Sequence, residues 1–244
     1  HVLEHPMSEA IIDLHAIDTA NEELAEASAS EILRWGFETF GDGIALATGF
    51  GPSGIVLMDL VSRIRPETTI FYLDTGFLFE ETYRLRDVLS ERLGISFERV
   101  APTLTPEEQA AQYGDELWKR EPDKCCAIRK VQPLREFLKT REAWITAIRR
   151  DQSHTRRSTE IVSWDAANNT YKVCPLATWT SEDVWSYLRL HDLPYNELHD
   201  RGYPSIGCTH CTRPVAQGEH ERAGRWAGHA KTECGIHLQS HIAA

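Results

Sequence analysis

Two short apolar runs, GIALATGF at 43–50 and TTIFYLDTG at 68–76, each end at a glycine and lead into a helical pattern. That repetition restricts the fold more than any other feature of the chain. In SGIVLMDLVSRI, Ile55, Val56, Leu60, Val61 and Ile64 fit one buried helix face, and EETYRLRDVLSERLG reads as a helix stopped at Gly94. ISFERVAP (95–102), AWITAI (143–148) and TYKVCPL (170–176) supply a third, fourth and fifth strand, and Thr180 with Asp183 opens the next helix in a capping-box pattern. Strands alternating with helices predict an α/β fold: a mainly parallel sheet with helices on both faces, binding ligands at the carboxyl ends of its strands. The loops after residues 48, 73 and 148 are therefore where a site is expected.

The segment from Met7 to about Phe40 reads as helical and packs on the outside. HVLEHP (1–6) reads as an expression remnant outside the fold. From Asn196 onward glycine, proline, histidine and arginine dominate and periodicity fades, as in a functional tail folded over the sheet. The reading is one domain over 7–244, with an α/β core at about 43–195 and a cysteine- and arginine-rich segment at about 196–244. No apolar run is long enough to span a bilayer and no signal-peptide pattern is present, so a cytoplasmic location is expected. A formal net charge of -11 argues against non-specific binding to nucleic acid or anionic membrane. An anionic small substrate would need a locally basic pocket.

The chemistry concentrates in the cysteines. Cys125 and Cys126 are adjacent, while Cys208 and Cys211 share a CxxC spacing. Four thiolates select zinc or an iron–sulfur cluster. Adjacent side chains diverge and reach one small ion with difficulty, whereas a cubane offers several iron corners. The pair is therefore read as cluster ligands, with a zinc site and a coincidental core pair as competing readings. Cys234, in KTECGIH, is flanked by Lys231 and His237, cations that favour a thiolate, which makes it a candidate nucleophile separate from the metal set. An incidental tail cysteine is the plainer alternative. Cys174 reads as a buried small hydrophobe.

Basic residues gather in two places. Arg149, Arg150, Arg156 and Arg157 follow the fourth strand, and Arg213, Arg222 and Arg225 lie near the CxxC pair. Guanidinium forks suit phosphate and sulfate oxygens, although a solvated basic face is the usual origin of such runs. LDTG (73–76) ends a strand with Asp74 and a glycine, a weak nucleoside-binding signal by itself.

Taken in order, LDTGFLFEETY, KCCAIRK, RRDQSHTRR, PLATWTSEDVWSYL, NELHDRGYPSIGCTHCTRP, GEHERAGRW and KTECGIH resemble the assimilatory adenylyl-sulfate (APS) reductases. These form the iron–sulfur branch of the phosphoadenylyl-sulfate reductase family. The likeness runs from about residue 43 to 237. It implies an adenine nucleotide alpha-hydrolase-like fold and thioredoxin-dependent reduction of adenosine 5'-phosphosulfate to sulfite and AMP through an S-sulfocysteine, in sulfate assimilation and cysteine biosynthesis. It further implies one 4Fe-4S cluster per chain on Cys125, Cys126, Cys208 and Cys211, with Cys234 as nucleophile. Lys130, Arg222, Arg225 and His237 match family positions around the phosphosulfate, and Arg149 and Arg157 are further candidates. The turn ATGFGPSG departs from the serine-rich turn of many relatives, and Thr48, Ser53 and the glycine amides are expected to cradle the phosphate instead. Whether the chain self-associates is left open. Competing readings are a reductase for 3'-phosphoadenosine 5'-phosphosulfate (PAPS), which generally lacks the CC and CxxC set, an ATP-consuming enzyme of the same fold, and a non-enzymatic iron–sulfur redox sensor.

Overall fold

Ile44–Thr48 (β1) buries its backbone between two neighbours, pairing in parallel with Ile70–Leu73 (β2) on one side and Ala143–Ile145 (β4) on the other. The computed structural model describes residues 13–237; the HVLEHP segment and the start of the predicted first helix lie outside the described residues. Phe97–Val100 (β3) pairs in parallel with β2, Thr170–Val173 (β6) pairs in parallel with β4, and Val162–Asp165 (β5) closes the far edge antiparallel to β6. The sheet order is β3-β2-β1-β4-β6-β5. The chain leaves β1 in one direction to form β2 and returns on the other side as β4, so the loops after β1 and β4 part at a topological switch point, the place where open α/β sheets hold ligands.

The two faces of the sheet follow from strand alternation. Leu46, Tyr72 and Ile145 point into a large core built with Leu14–Glu23 (α1), Ala29–Phe40 (α2), Pro52–Ile64 (α3), Glu80–Leu93 (α4) and Ser181–Leu190 (α9). Ala45, Phe71 and Trp144 point the other way, into a smaller core with Leu134 and Leu138 of Gln132–Leu138 (α8). Between β3 and α8 lie three short helices, Pro106–Tyr113 (α5), Leu117–Arg120 (α6) and Pro122–Cys126 (α7). Gly94 ends α4 with φ 64, and the Thr180–Asp183 capping box closes on α9 with reciprocal bonds of 2.7 and 3.1 Å, both as the sequence indicates.

Three local readings need correction. The first helical stretch is two helices, broken where Ser28 and Glu31 form a capping box that starts α2. The fourth strand ends at Ile145; the Thr146 amide still donates to the Val173 carbonyl at 3.0 Å, but Thr146, Ala147 and Ile148 line a cavity. The edge strand β5 has no counterpart in the sequence reading. Its carbonyl and amide at Val162 bond the side chain of Asn21, at 2.7 and 3.0 Å, so α1 protects that end of the edge.

Candidate active site

The loops at the switch point open into a cavity of about 560 Å³. Its floor is the start of α3, where Gly51, Pro52, Ser53 and Gly54 follow β1. Gly51, at the N-cap, makes no side-chain bond, so the first amides of this 13-residue helix remain available to an anion. Phe50, not a glycine, takes the left-handed position of the turn, with φ 58. The ring is buried against Tyr72 and Phe97 at 5.3 and 5.2 Å, packing that holds an unfavourable backbone conformation in place. Its amide donates to Thr48 Oγ1 at 3.0 Å.

Cations line the walls. Lys130, Arg149, Arg156, Arg222 and Arg225 border the cavity, and among its described lining residues Glu221 is the one acidic side chain. An acidic protein has thus gathered positive charge in this hollow. Arg149 is 5% exposed, donating to Ser53 Oγ and, through Nε, to Asp151 at 2.9 Å. Arg225 donates to Ser205 Oγ at 3.2 Å and crosses Gly207, where any side chain would collide with its guanidinium. Burial, followed by repulsion from Arg156, pulls Arg222 down to about 10.

Sequence candidates divide accordingly. Thr48, Ser53, Lys130, Arg149, Arg222, Arg225, His237 and Cys234 all line the cavity. Asp74 and Arg157 do not. Asp74 is instead consumed by Arg99, Tyr83 and the Gly76 amide at 2.6, 2.6 and 3.0 Å, bonds that outweigh burial and hold its carboxyl below the usual range. Arg157 is exposed, Arg150 donates to the Thr159 carbonyl at 2.8 Å, and Arg213 pairs with Glu219 at 3.0 Å, so those members of the two basic runs serve loops and surface. Arg156 and Trp144, which the sequence did not single out as contacts, also form part of the wall.

His237 corrects an electrostatic expectation. Burial, together with Arg156, Lys172, Arg222 and Lys130, drives it well below the ordinary histidine value, so it is neutral and lends Cys234 no charge. It lies parallel to Trp144 with ring centroids 5.6 Å apart. Lys231 is likewise occupied, paired with Asp123 and resting over Trp226. Cys234 is half-buried on the cavity wall.

A second, much smaller space of about 10 Å³ adjoins the first, lined by Cys125, Cys126, Cys208 and Cys211. Local chain geometry explains how adjacent cysteines share it. They end α7, and the next turn, Ala127–Val131, is a π-helix in which the Gln132 amide reaches the Ala127 carbonyl. Pro133 has no amide for the usual bond, and the turn widens there. Lys130 sits on this wide turn and lines both spaces, as does Trp226. Two side chains approach the sulfurs: Thr75 Oγ1 lies 3.3 Å from Cys208 Sγ, and Gln109 Nε2 lies 3.8 Å from Cys125 Sγ.

Burial raises the thiol of Cys125, and pushes those of Cys126 and Cys211 to about 12 and about 11. Lys130 is pulled down by its own burial, but the negative charge of the ionised sulfurs of Cys208, Cys234 and Cys126 outweighs it and the net shift is upward. Among the described residues no three His, Cys, Asp or Glu side chains converge on a single metal ion; the four cysteines surround a common space instead. Cys174 is 1% exposed and stands apart in the main core, as expected.

A family model described as the phosphoadenosine phosphosulfate reductase domain matches residues 43–214, which spans the sheet, the π turn and both cysteine pairs. The chain belongs to this family. Relatives named adenosine 5'-phosphosulfate reductase include one from Salinibacter ruber, 53% identical over 218 residues, covering 89% of this chain and 86% of that protein. One from Halalkalibacterium halodurans is 49% identical over 222 residues, covering 91% and 96%. Among solved structures, a phosphoadenylyl-sulfate (PAPS) reductase from Candida auris, in a phosphate complex, superposes with TM-score 0.74 at 30% identity, covering 84% of this chain and 98% of that one. An FMN adenylyltransferase from Candida glabrata, TM-score 0.59 at 16% identity and covering 88% of this chain and 69% of that one, shares the fold alone.

Proposed function

We propose that this chain reduces adenosine 5'-phosphosulfate to sulfite and AMP, with a thioredoxin-class dithiol as electron donor, in the assimilation of sulfate into cysteine. The observation that carries the reading is Cys234 on the wall of the same cavity that holds five cations and a free helix N-terminus. The names of relatives at about half identity agree with it.

The thiolate of Cys234 attacks the sulfonyl sulfur. An S–S bond forms, the bond from sulfur to the bridging oxygen breaks, and AMP leaves with the electron pair. One anion approaches another in this step, so the barrier is electrostatic, and Lys130, Arg222 and Arg225 are placed to lower it. The α3 amides, with Thr48 and Ser53, are the natural seat for the nucleotide phosphate. A dithiol then attacks Sγ of Cys234, sulfite departs, and the second thiol of the donor resolves the mixed disulfide and supplies the two electrons.

Cys125, Cys126, Cys208 and Cys211 would hold a 4Fe-4S cluster. The donor chemistry fits: four thiols and no carboxylate, Thr75 and Gln109 beside the sulfurs, and Arg129 and Lys130 to offset charge. When bound, the cluster supplies a delocalised negative charge next to Lys130, while the reaction's electrons come from the dithiol. This sulfur set also favours APS over PAPS as substrate, and no helix among the described residues is long and apolar enough to cross a membrane.

The test is steady-state release of sulfite and AMP under exclusion of air, with APS and PAPS offered in competition. The expected outcome is thioredoxin-dependent sulfite from APS with a kcat/KM at least ten times that for PAPS. Preference for PAPS would reverse the substrate assignment, and no sulfite from either would overturn the activity.

A further inference from the structure

Glu233 directly precedes the proposed nucleophile, and its side chain is 7% exposed. A carboxylate that far from water needs partners, and this one has two segments of the chain closing on it. Arg156 grips it with both edges of its fork, Nε to Oε1 at 2.9 Å and Nη2 to Oε2 at 2.7 Å. Thr155 Oγ1 donates to Oε1 at 3.1 Å, and Arg222 Nη2 donates to Oε2 at 3.3 Å and to the neighbouring Thr232 carbonyl at 3.0 Å. Arg156 is itself fixed by Gln152 Oε1 at 2.7 Å.

The other side of Cys234 is anchored differently. Gly235 turns the chain with φ 96, a backbone conformation that strongly favours glycine, and this sets Ile236 against the core of Ala45, Phe71 and Trp144 and His237 parallel to Trp144. Cys234 is therefore suspended between an ionic anchor and an apolar one. Of the two, the ionic anchor can be exchanged, because Arg156 and Arg222 also line the cavity.

We propose that Glu233 is a positioning residue, whose carboxylate, clasped by Arg156 and Arg222, holds Cys234 at the cavity wall and shares Arg222 with the anion of the substrate. The proposal rests on Cys234 being the nucleophile, but its test does not require turnover. Charge is what the clasp needs, so Glu233→Gln keeps the shape and loses the grip. Arg156→Gln breaks it from the other side.

The experiment measures alkylation of Cys234 by iodoacetamide, by peptide mass, in the full-length protein without substrate, alongside binding of AMP as a probe of the cavity. E233Q is expected to speed alkylation at least fivefold with AMP affinity within threefold of wild type, and R156Q, whose guanidinium also lines the cavity, to speed alkylation as much whatever it does to AMP binding. The double variant should be no faster than either single one, and E233D should recover most of the protection. Alkylation at the wild-type rate in both single variants would overturn the proposal, as would acceleration in E233Q accompanied by loss of AMP binding, the mark of general loosening. If wild-type Cys234 accepts no sulfonate from APS, the reaction assignment falls while the alkylation result stands by itself.

Discussion

The cation-lined cavity and the cysteine-lined void beside it differ in size by more than tenfold, about 560 against about 10 Å³, and in how the chain builds them. The larger is a product of sheet topology. Any chain with strand order β3-β2-β1-β4-β6-β5 parts its loops between β1 and β4, and the contribution particular to this one is to line the opening with arginine and lysine. The smaller owes nothing to the sheet's plan. It exists because a five-residue helix, a π turn and a 3₁₀ turn at Thr209–Cys211 bring two cysteine pairs together across more than 80 residues of sequence. Generic architecture gives the substrate its place, and local irregularity gives the sulfurs theirs. Lys130 and Trp226 belong to both, so the two spaces share a wall.

The contrast can be broken at several points. The largest effect is expected from Cys234→Ser, which should lower sulfite production by roughly 10⁴-fold or more in the dithiol-coupled assay while leaving AMP binding intact. Cys126→Ser should cut iron and acid-labile sulfide to below a tenth of the wild-type content, measured on protein purified without air, whereas Cys174→Ser should retain both; equal loss would erase the distinction between void and core. Lys130→Gln, on the shared wall, should reduce kcat/KM for APS about 100-fold.

A smaller, pH-dependent effect should come from His237. Its folded-state value is far below 6.5, so the undocked tail binds the proton more readily and docking weakens as pH falls through about 6.5. Protection of Cys234 from iodoacetamide, corrected for thiolate fraction, should decline over that range in wild type and stay flat in His237→Phe. The least effect on the site is expected from Asp74→Asn: a stability loss of ~1–3 kcal/mol in denaturant melts from its buried hydrogen bonds, with AMP affinity changed less than twofold.

Much of this was legible in the chain. Apolar runs that end in glycine located β1 and β2, and the CC and CxxC spacings identified all four thiols that share the small void. What escaped has physical reasons. VSWD carries a weak apolar pattern after a run of charged and hydroxyl residues, so the antiparallel edge could not be told from a loop. The break between α1 and α2 contains neither glycine nor proline, and its one local signal is Ser28 and Glu31 at capping-box spacing. Asp74 looked like a ligand because strand-end carboxylates often are; only the fold brings Arg99 and Tyr83 to it. The Glu233–Arg156 pair links residues 77 apart in sequence, which no local pattern encodes.

The central claim is that Cys234 takes a sulfonate from substrate bound among these cations. Anaerobic incubation of the intact protein with APS and no dithiol, followed by peptide mass, tests it most directly. The account predicts one sulfonate per chain, on Cys234 and on no other cysteine, with stoichiometric AMP released; an unmodified Cys234, or a sulfonate on any of the other five, would contradict it.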